Sequence, residues 1–183
     1  MIIFIVFIAL LLILLLFSKI YNKLVRQKAS TEEAFSGVDV QLKRRYDLIP
    51  NLVAVAKQYG VHEKEIFEEI ARQRNISAHA TSIQQKSQAE QGLSQALRTL
   101  FAVVESYPTL KANENYMALH NSLQEVEREL QLARRYYNGT VRNYNITVQA
   151  FPSALVARAT GFNKAPYFEV ESTTERDNVR VTF

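Results

Sequence analysis

Apolar side chains along this chain follow three different patterns. The first is an unbroken run from Ile2 to Phe17, sixteen apolar residues in a row. A helix of about 20 residues crosses the roughly 30 Å hydrocarbon core of a bilayer. Met1 to Tyr21 reaches that length if Lys19 extends its amine toward the headgroups. The second pattern is a helical stripe. Phe35, Val38, Leu42, Arg45, Ile49, Leu52, Ala56 and Tyr59 alternate steps of three and four, which puts them on one face of a helix. Pro50 lies inside that stripe. Proline has no N–H and crowds the carbonyl one turn earlier, so a kink is expected between Tyr46 and Pro50, with Gly60 as the stop. The third pattern is strand-like alternation at the end, in Tyr167-Phe168-Glu169-Val170 and Val179-Arg180-Val181-Thr182-Phe183.

Between these lie further helices. Val61 to Ala78 reads as one, with Ile66, Phe67, Ile70 and Ala71 inward, acidic residues early and Arg72 and Arg74 late. Residues 79–90 are polar, and Ser87-x-x-Glu90 has the form of a capping box for the next helix. Leu93, Leu97, Leu100, Phe101 and Val104 form that helix's stripe, and Pro108 ends it. The longest series is Leu119, Leu123, Val126, Leu130, Ala133, Tyr137, Val141, Tyr144, Val148 and Phe151, which predicts a helix from Asn113 to Ala150 with coiled-coil-like packing. Pro152 breaks it. A short helix from Ser153 to Thr160 follows, closed by Gly161.

The predicted fold is all-α: one N-terminal transmembrane helix continuing into a long antiparallel helical bundle, with a short extended C-terminal tail. The expected division is 1–21 for the anchor, 22–162 for the bundle and 163–183 for the tail. Only 5 Gly and 4 Pro punctuate the chain, which favours long helices over a sheet with frequent turns.

A cleaved signal peptide would also begin with an apolar stretch, but it carries a basic leader and a small-residue cleavage site. Neither is visible around Ile2–Phe17, so an uncleaved anchor is expected. Lys19, Lys23, Arg26 and Lys28 follow the run directly. The positive-inside rule then places the N-terminus outside and the bulk in the cytoplasm. Those basic residues also suit anionic lipid, so the lipid bilayer is an expected partner. The charge excess is local: residues 19–45 carry seven Lys/Arg against three Asp/Glu, and residues 46–183 carry fifteen of each. A nucleic-acid site wants basic residues interleaved with stacking aromatics on one face, so no nucleic-acid partner is expected.

Enzyme chemistry finds few handles. The chain has no cysteine, hence no disulfide or thiol nucleophile. His62-Glu63 opens a zincin-like motif, but Ile66 stands where the second histidine belongs. No histidine has a glutamate three residues before it, as helical di-iron sites require. No glycine-rich phosphate loop is present. The expectation is a protein that is not an enzyme, with no cofactor, no metal and no catalytic residues.

The unusual residues are polar ones on apolar faces. Arg45 belongs to the inward stripe. Either its stem packs while its guanidinium reaches solvent, or it pairs with Glu127 or Glu105 between helices. Arg135, Tyr137, Asn138 and Val141 recur seven residues later as Arg142, Tyr144, Asn145 and Val148. That spacing keeps both sets on one helix face, where Asn fixes register and Tyr and Arg anchor interfaces. The seam is either intramolecular or a contact between subunits.

Several stretches then resemble one family. They are Tyr21-Asn22-x-Leu24-Val25, the block from Asp39 through Gln41-Leu42-Lys43-Arg44-Arg45-Tyr46-Asp47-Leu48-Ile49-Pro50-Asn51-Leu52 to Val53, and Glu105-x-Tyr107-Pro108-x-Leu110-Lys111-Ala112. Glu127 seven residues before Arg134, Tyr137-Asn138, Tyr144-Asn145, Phe151-Pro152 and Gly161-Phe162 complete the series. The chain resembles the LemA family of bacterial membrane proteins from Tyr21 to Phe168. The resemblance implies a single-pass protein of the bacterial inner (cell) membrane with a short outer N-terminus and a cytoplasmic bundle. It does not supply a catalytic activity. The expected role is a membrane-tethered scaffold or adaptor forming a homo-oligomer, or an accessory subunit of a membrane protease or envelope-stress system with a membrane-protein partner.

Overall fold

The computed structural model describes residues 1–59 and 63–168. Among them the architecture is all helical: α1 (Ile2–Gln58), α2 (Lys64–His79), α3 (Ile83–Val104), α4 (Pro108–Lys111), α5 (Glu114–Gln149) and α6 (Ser153–Thr160). The helix of the apolar run does not end where the run ends. It continues as α1 through residue 21 and on to Gln58.

The chain divides into two compact units. One comprises Met1–Leu42 and Arg128–Tyr167; the other comprises Lys43–Glu127 and Phe168. In the first, Leu24 of α1 packs with Tyr144 of α5 and Val156 and Ala157 of α6, and Ile20, Val148, Phe162 and Ala165 close around them. The rings of Phe35 and Tyr137 meet at a tilt, 5.4 Å between centroids. As the α1 number falls from 35 to 24, the α5 number rises from 137 to 144, so the two helices run antiparallel here. In the second unit Ile49, Leu52 and Ala56 of α1, Phe67 and Ile70 of α2, Leu93, Leu97 and Leu100 of α3, and Leu123 of α5 make one core. Burying side chains of this size stabilises by about 1.5–3 kcal/mol each.

Residues 2–17 of α1 take no part in either core. All are exposed, and the most apolar window of α1 is 0% buried. This is the one described helix long and apolar enough to cross a membrane.

The helix boundaries show which local signals governed. α6 occupies the predicted residues, opened after Pro152 and closed by Gly161 at φ 76°, a left-handed value that favours glycine. α5 lies within one residue of its predicted limits at each end. The start of α3 needs correction. Its cap is Ser82, whose hydroxyl accepts from the Gln85 N–H while the Gln85 side chain returns to the Ser82 backbone. Ser87 and Glu90 are not cap residues; both are buried inside α3. Pro108 does more than end a helix, since it opens the short α4, where its missing N–H is harmless. Ala71 is exposed rather than inward. Phe151, expected to continue the α5 stripe, is 84% exposed because α5 stops at Gln149 and the stripe stops with it. Phe168 is buried and Tyr167 is exposed, both without strand structure. The remainder of the expected tail strands, and Gly60 to His62, lie outside the described residues.

Candidate functional site

Two polar centres stand out, one in each unit. In the Lys43–Glu127 unit, Arg45 is only 5% exposed, which rules out the solvent-reaching alternative. Its Nη1 donates to Glu90 Oε2 at 2.8 Å and lies 3.3 Å from Glu127 Oε2. Its Nη2 donates to Ser94 Oγ at 2.9 Å. Tyr46 donates its hydroxyl to the other Glu90 oxygen at 2.6 Å. One guanidinium therefore ties α1 to α3 and α5. Of the two partners expected from sequence, Glu127 is present and Glu105 is not. Glu105 sits on the surface and pairs with Lys111. Glu90, 2% exposed and the nearest partner of all, was missed because it lay in a stretch read as the cap of α3. Burial, then the Glu90 charge and the hydrogen bond to it, hold the Tyr46 hydroxyl far above its ordinary pKa, so it stays a donor.

The proline of α1 belongs to the same centre. Pro50 cannot donate to the Tyr46 carbonyl one turn back. That oxygen instead accepts from Arg74 Nε of α2 at 3.0 Å. A helical cation thus fills the hydrogen bond the proline omits, and α1 continues to Gln58 with Pro50 inside it.

The second centre is neutral. Tyr137 and Tyr144, one heptad apart on α5, are 1% and 3% exposed. Their hydroxyls donate to the carbonyls of Pro166 at 2.8 Å and Asn163 at 2.9 Å. Asn145 donates to the Ala165 carbonyl at 2.9 Å and accepts from the Ala165 N–H at 2.8 Å. Tyr137, Tyr144 and Asn145 clamp the non-helical residues 163–166 against α5. This is an intramolecular use of the seam; Asn138 is half-buried beside it and Arg134 is buried on the same helix. Burial pushes the Tyr137 hydroxyl up to about 12 and raises that of Tyr144, with Glu32 adding to the latter.

The membrane-proximal basic residues Lys19, Lys23, Arg26 and Lys28 are all exposed on α1. Arg26 donates to the Asn22 carbonyl, and Lys28 lies 3.9 Å from Glu32. Chemically the two buried centres orient helices and backbone. Each of their charged and hydroxyl groups in these bonds is turned toward another protein group.

A long unburied apolar helix leading into a helical bundle, pinned by an internal arginine, defines a membrane-associated bundle protein. The LemA family model matches residues 34–183, and the chain belongs to the LemA family. Magnetosome proteins MamQ 1 and MamQ 2 of Paramagnetospirillum magneticum are each 28% identical to it, over 81% of this chain and 64% of theirs. Magnetosome protein MamQ of Magnetospirillum gryphiswaldense is 26% identical over the same shares. The chain thus spans under two thirds of the length of the curated relatives it matches.

Proposed function

We propose that this protein is a non-enzymatic scaffold or adaptor, anchored by α1 in the bacterial inner membrane and self-assembling there through its helical bundle. The observation that carries the reading is the unburied apolar stretch of α1, which shares one helix with residues of both cores. Tethering raises local concentration, so weak lateral contacts are enough for assembly. The exposed basic residues from Lys19 to Lys28 favour a cytoplasmic bundle by the positive-inside rule. The buried polar residues act on one another and on backbone rather than on an open pocket, which supports an organising role over a chemical one.

Mass photometry of the full-length protein in mild detergent tests this. One discrete species of many copies is the expected result. Monomers alone would reject self-assembly. A stoichiometric second protein carried through purification would make it an accessory subunit of a membrane complex, such as a protease.

A further inference from the structure

The corner where α5 turns into α6 carries features that neither polar centre uses. Phe151 is 84% exposed and Leu155, four residues on, is 60% exposed. Beside them is a cleft of about 420 Å³, lined by Gln149, Ala157, Arg158, Phe162, Asn163 and Lys164 among others. Its outer wall is fixed, since Tyr144 holds the Asn163 carbonyl and the Phe162 N–H donates to Ala157 at 2.9 Å. Arg158 and Lys164 are exposed and make no ion pair among the described residues. From Leu130 to Phe168 the sequence holds five basic side chains and no acidic one, and from Ser18 to Thr31 four basic and no acidic.

The position of this corner along α1 gives these features a meaning. Phe162 meets Tyr21 edge-on at 5.8 Å. Tyr21 is four residues past Phe17, about 6 Å along the helix. Headgroup layers add about 5–8 Å to each face of the hydrocarbon core. If α1 crosses the bilayer with its apolar run in the core, the cleft lies in the headgroup layer. α5 runs toward the membrane in this unit, so Phe151, beyond its last turn, lies at the boundary with the acyl chains.

We propose that the cleft at the α5–α6 corner binds the headgroup of an anionic phospholipid in the bilayer that α1 enters, with Phe151 and Leu155 seated among the upper acyl chains. The occupant follows from continuity with the anchor helix and from the two cations, Arg158 and Lys164, in the cleft's own lining. An apolar pair flanked by cations is the side-chain set of interfacial helices. The proposal rests on α1 being a membrane anchor, and the test separates the two.

The chain has no tryptophan, so single substitutions report depth directly. Leu10→Trp, Phe151→Trp and Tyr136→Trp in the full-length protein are reconstituted into phosphatidylcholine–phosphatidylglycerol vesicles brominated either high or deep on the acyl chains. Quenching at 10 and 151 but not at the exposed α5 position 136 is expected. Quenching at 10 without quenching at 151 overturns the lipid site and leaves the anchor intact. No quenching at 10 overturns both. For the headgroup, native mass spectrometry compares phosphatidylglycerol with phosphatidylcholine retained by the protein. Arg158→Gln with Lys164→Gln should lower that preference about fivefold or more, each basic residue near an anionic surface being worth about that factor. An unchanged preference overturns the assignment. Displacement of the lipid by inorganic phosphate would overturn the lipid as ligand in favour of a soluble anion.

Discussion

The two polar centres solve a similar problem with opposite chemistry. The Arg45 centre is ionic and joins side chains on three helices. The Tyr137–Tyr144–Asn145 centre is neutral and joins side chains on one helix to backbone groups of a segment without helix or strand. An ion pair taken out of water adds little net stability, but removing one partner strands the other, so it enforces which helix faces meet. Neutral hydrogen bonds to a carbonyl are cheaper to desolvate and tolerate loss better, with a net worth near 1 kcal/mol each. Ionic centres therefore police assembly, while neutral clamps hold down a loose strand of chain.

The sharpest way to break this contrast is Arg45→Met. With Glu90 left buried and uncompensated, the loss should be about 3–5 kcal/mol, read as a large fall in melting temperature by circular dichroism. Adding Glu90→Leu should recover much of it. A near-wild-type melt of the single variant would deny the centre its role.

Asn145→Ala removes two hydrogen bonds from the clamp, and a loss of about 2 kcal/mol is expected. Its signature is local: amide exchange at residues 163–167 should rise while the Lys43–Glu127 unit keeps its protection. Uniform loosening of both units would erase the distinction.

Alkaline titration of a variant isolates the share that one clamp hydroxyl carries. Tyr137 is pushed by burial up to about 12, against about 10 when unfolded. The folded state keeps its proton between those values and the unfolded state does not. The stability this contributes is whole below pH 10 and is lost as pH rises from about 10 to 12, on the order of 2 kcal/mol. Tyr137→Phe should flatten the fall across that window in a urea-denaturation series. An unchanged pH slope in that variant would assign the loss elsewhere.

The smallest effect is a coupling. Arg74→Leu leaves the Tyr46 carbonyl without the bond Pro50 cannot make, at about 1–2 kcal/mol. In a Pro50→Ala background the new N–H can serve that carbonyl, so the same arginine change should cost measurably less. Equal costs in both backgrounds would mean Arg74 acts through its charge alone.

The sequence made the helices legible where punctuation was strong. Pro152 and Gly161 frame α6, and the three–four stripe of α5 overruns its true end only at Phe151. It also flagged Arg45 and the Tyr/Asn repeat as polar groups on apolar faces. What it could not supply were partners. Glu90 is forty-five residues from Arg45, and nothing in local periodicity couples them. Two capping-box patterns lay five residues apart, and only packing decides that Ser82 caps while Ser87 is buried. The target of the Tyr/Asn repeat escaped for another reason. It is backbone, and carbonyls have no sequence signature.

Because α5 grips Asn163, Ala165 and Pro166 by their main chain, the instructions for placing that segment are written almost entirely in the helix. Placing residues 163–166 therefore asks little of their side chains so long as Tyr137, Tyr144 and Asn145 persist, which leaves Lys164 free to serve the cleft and Ala165 to pack beside Leu24. Fixed hooks on one helix let the ribbon they hold take on other work.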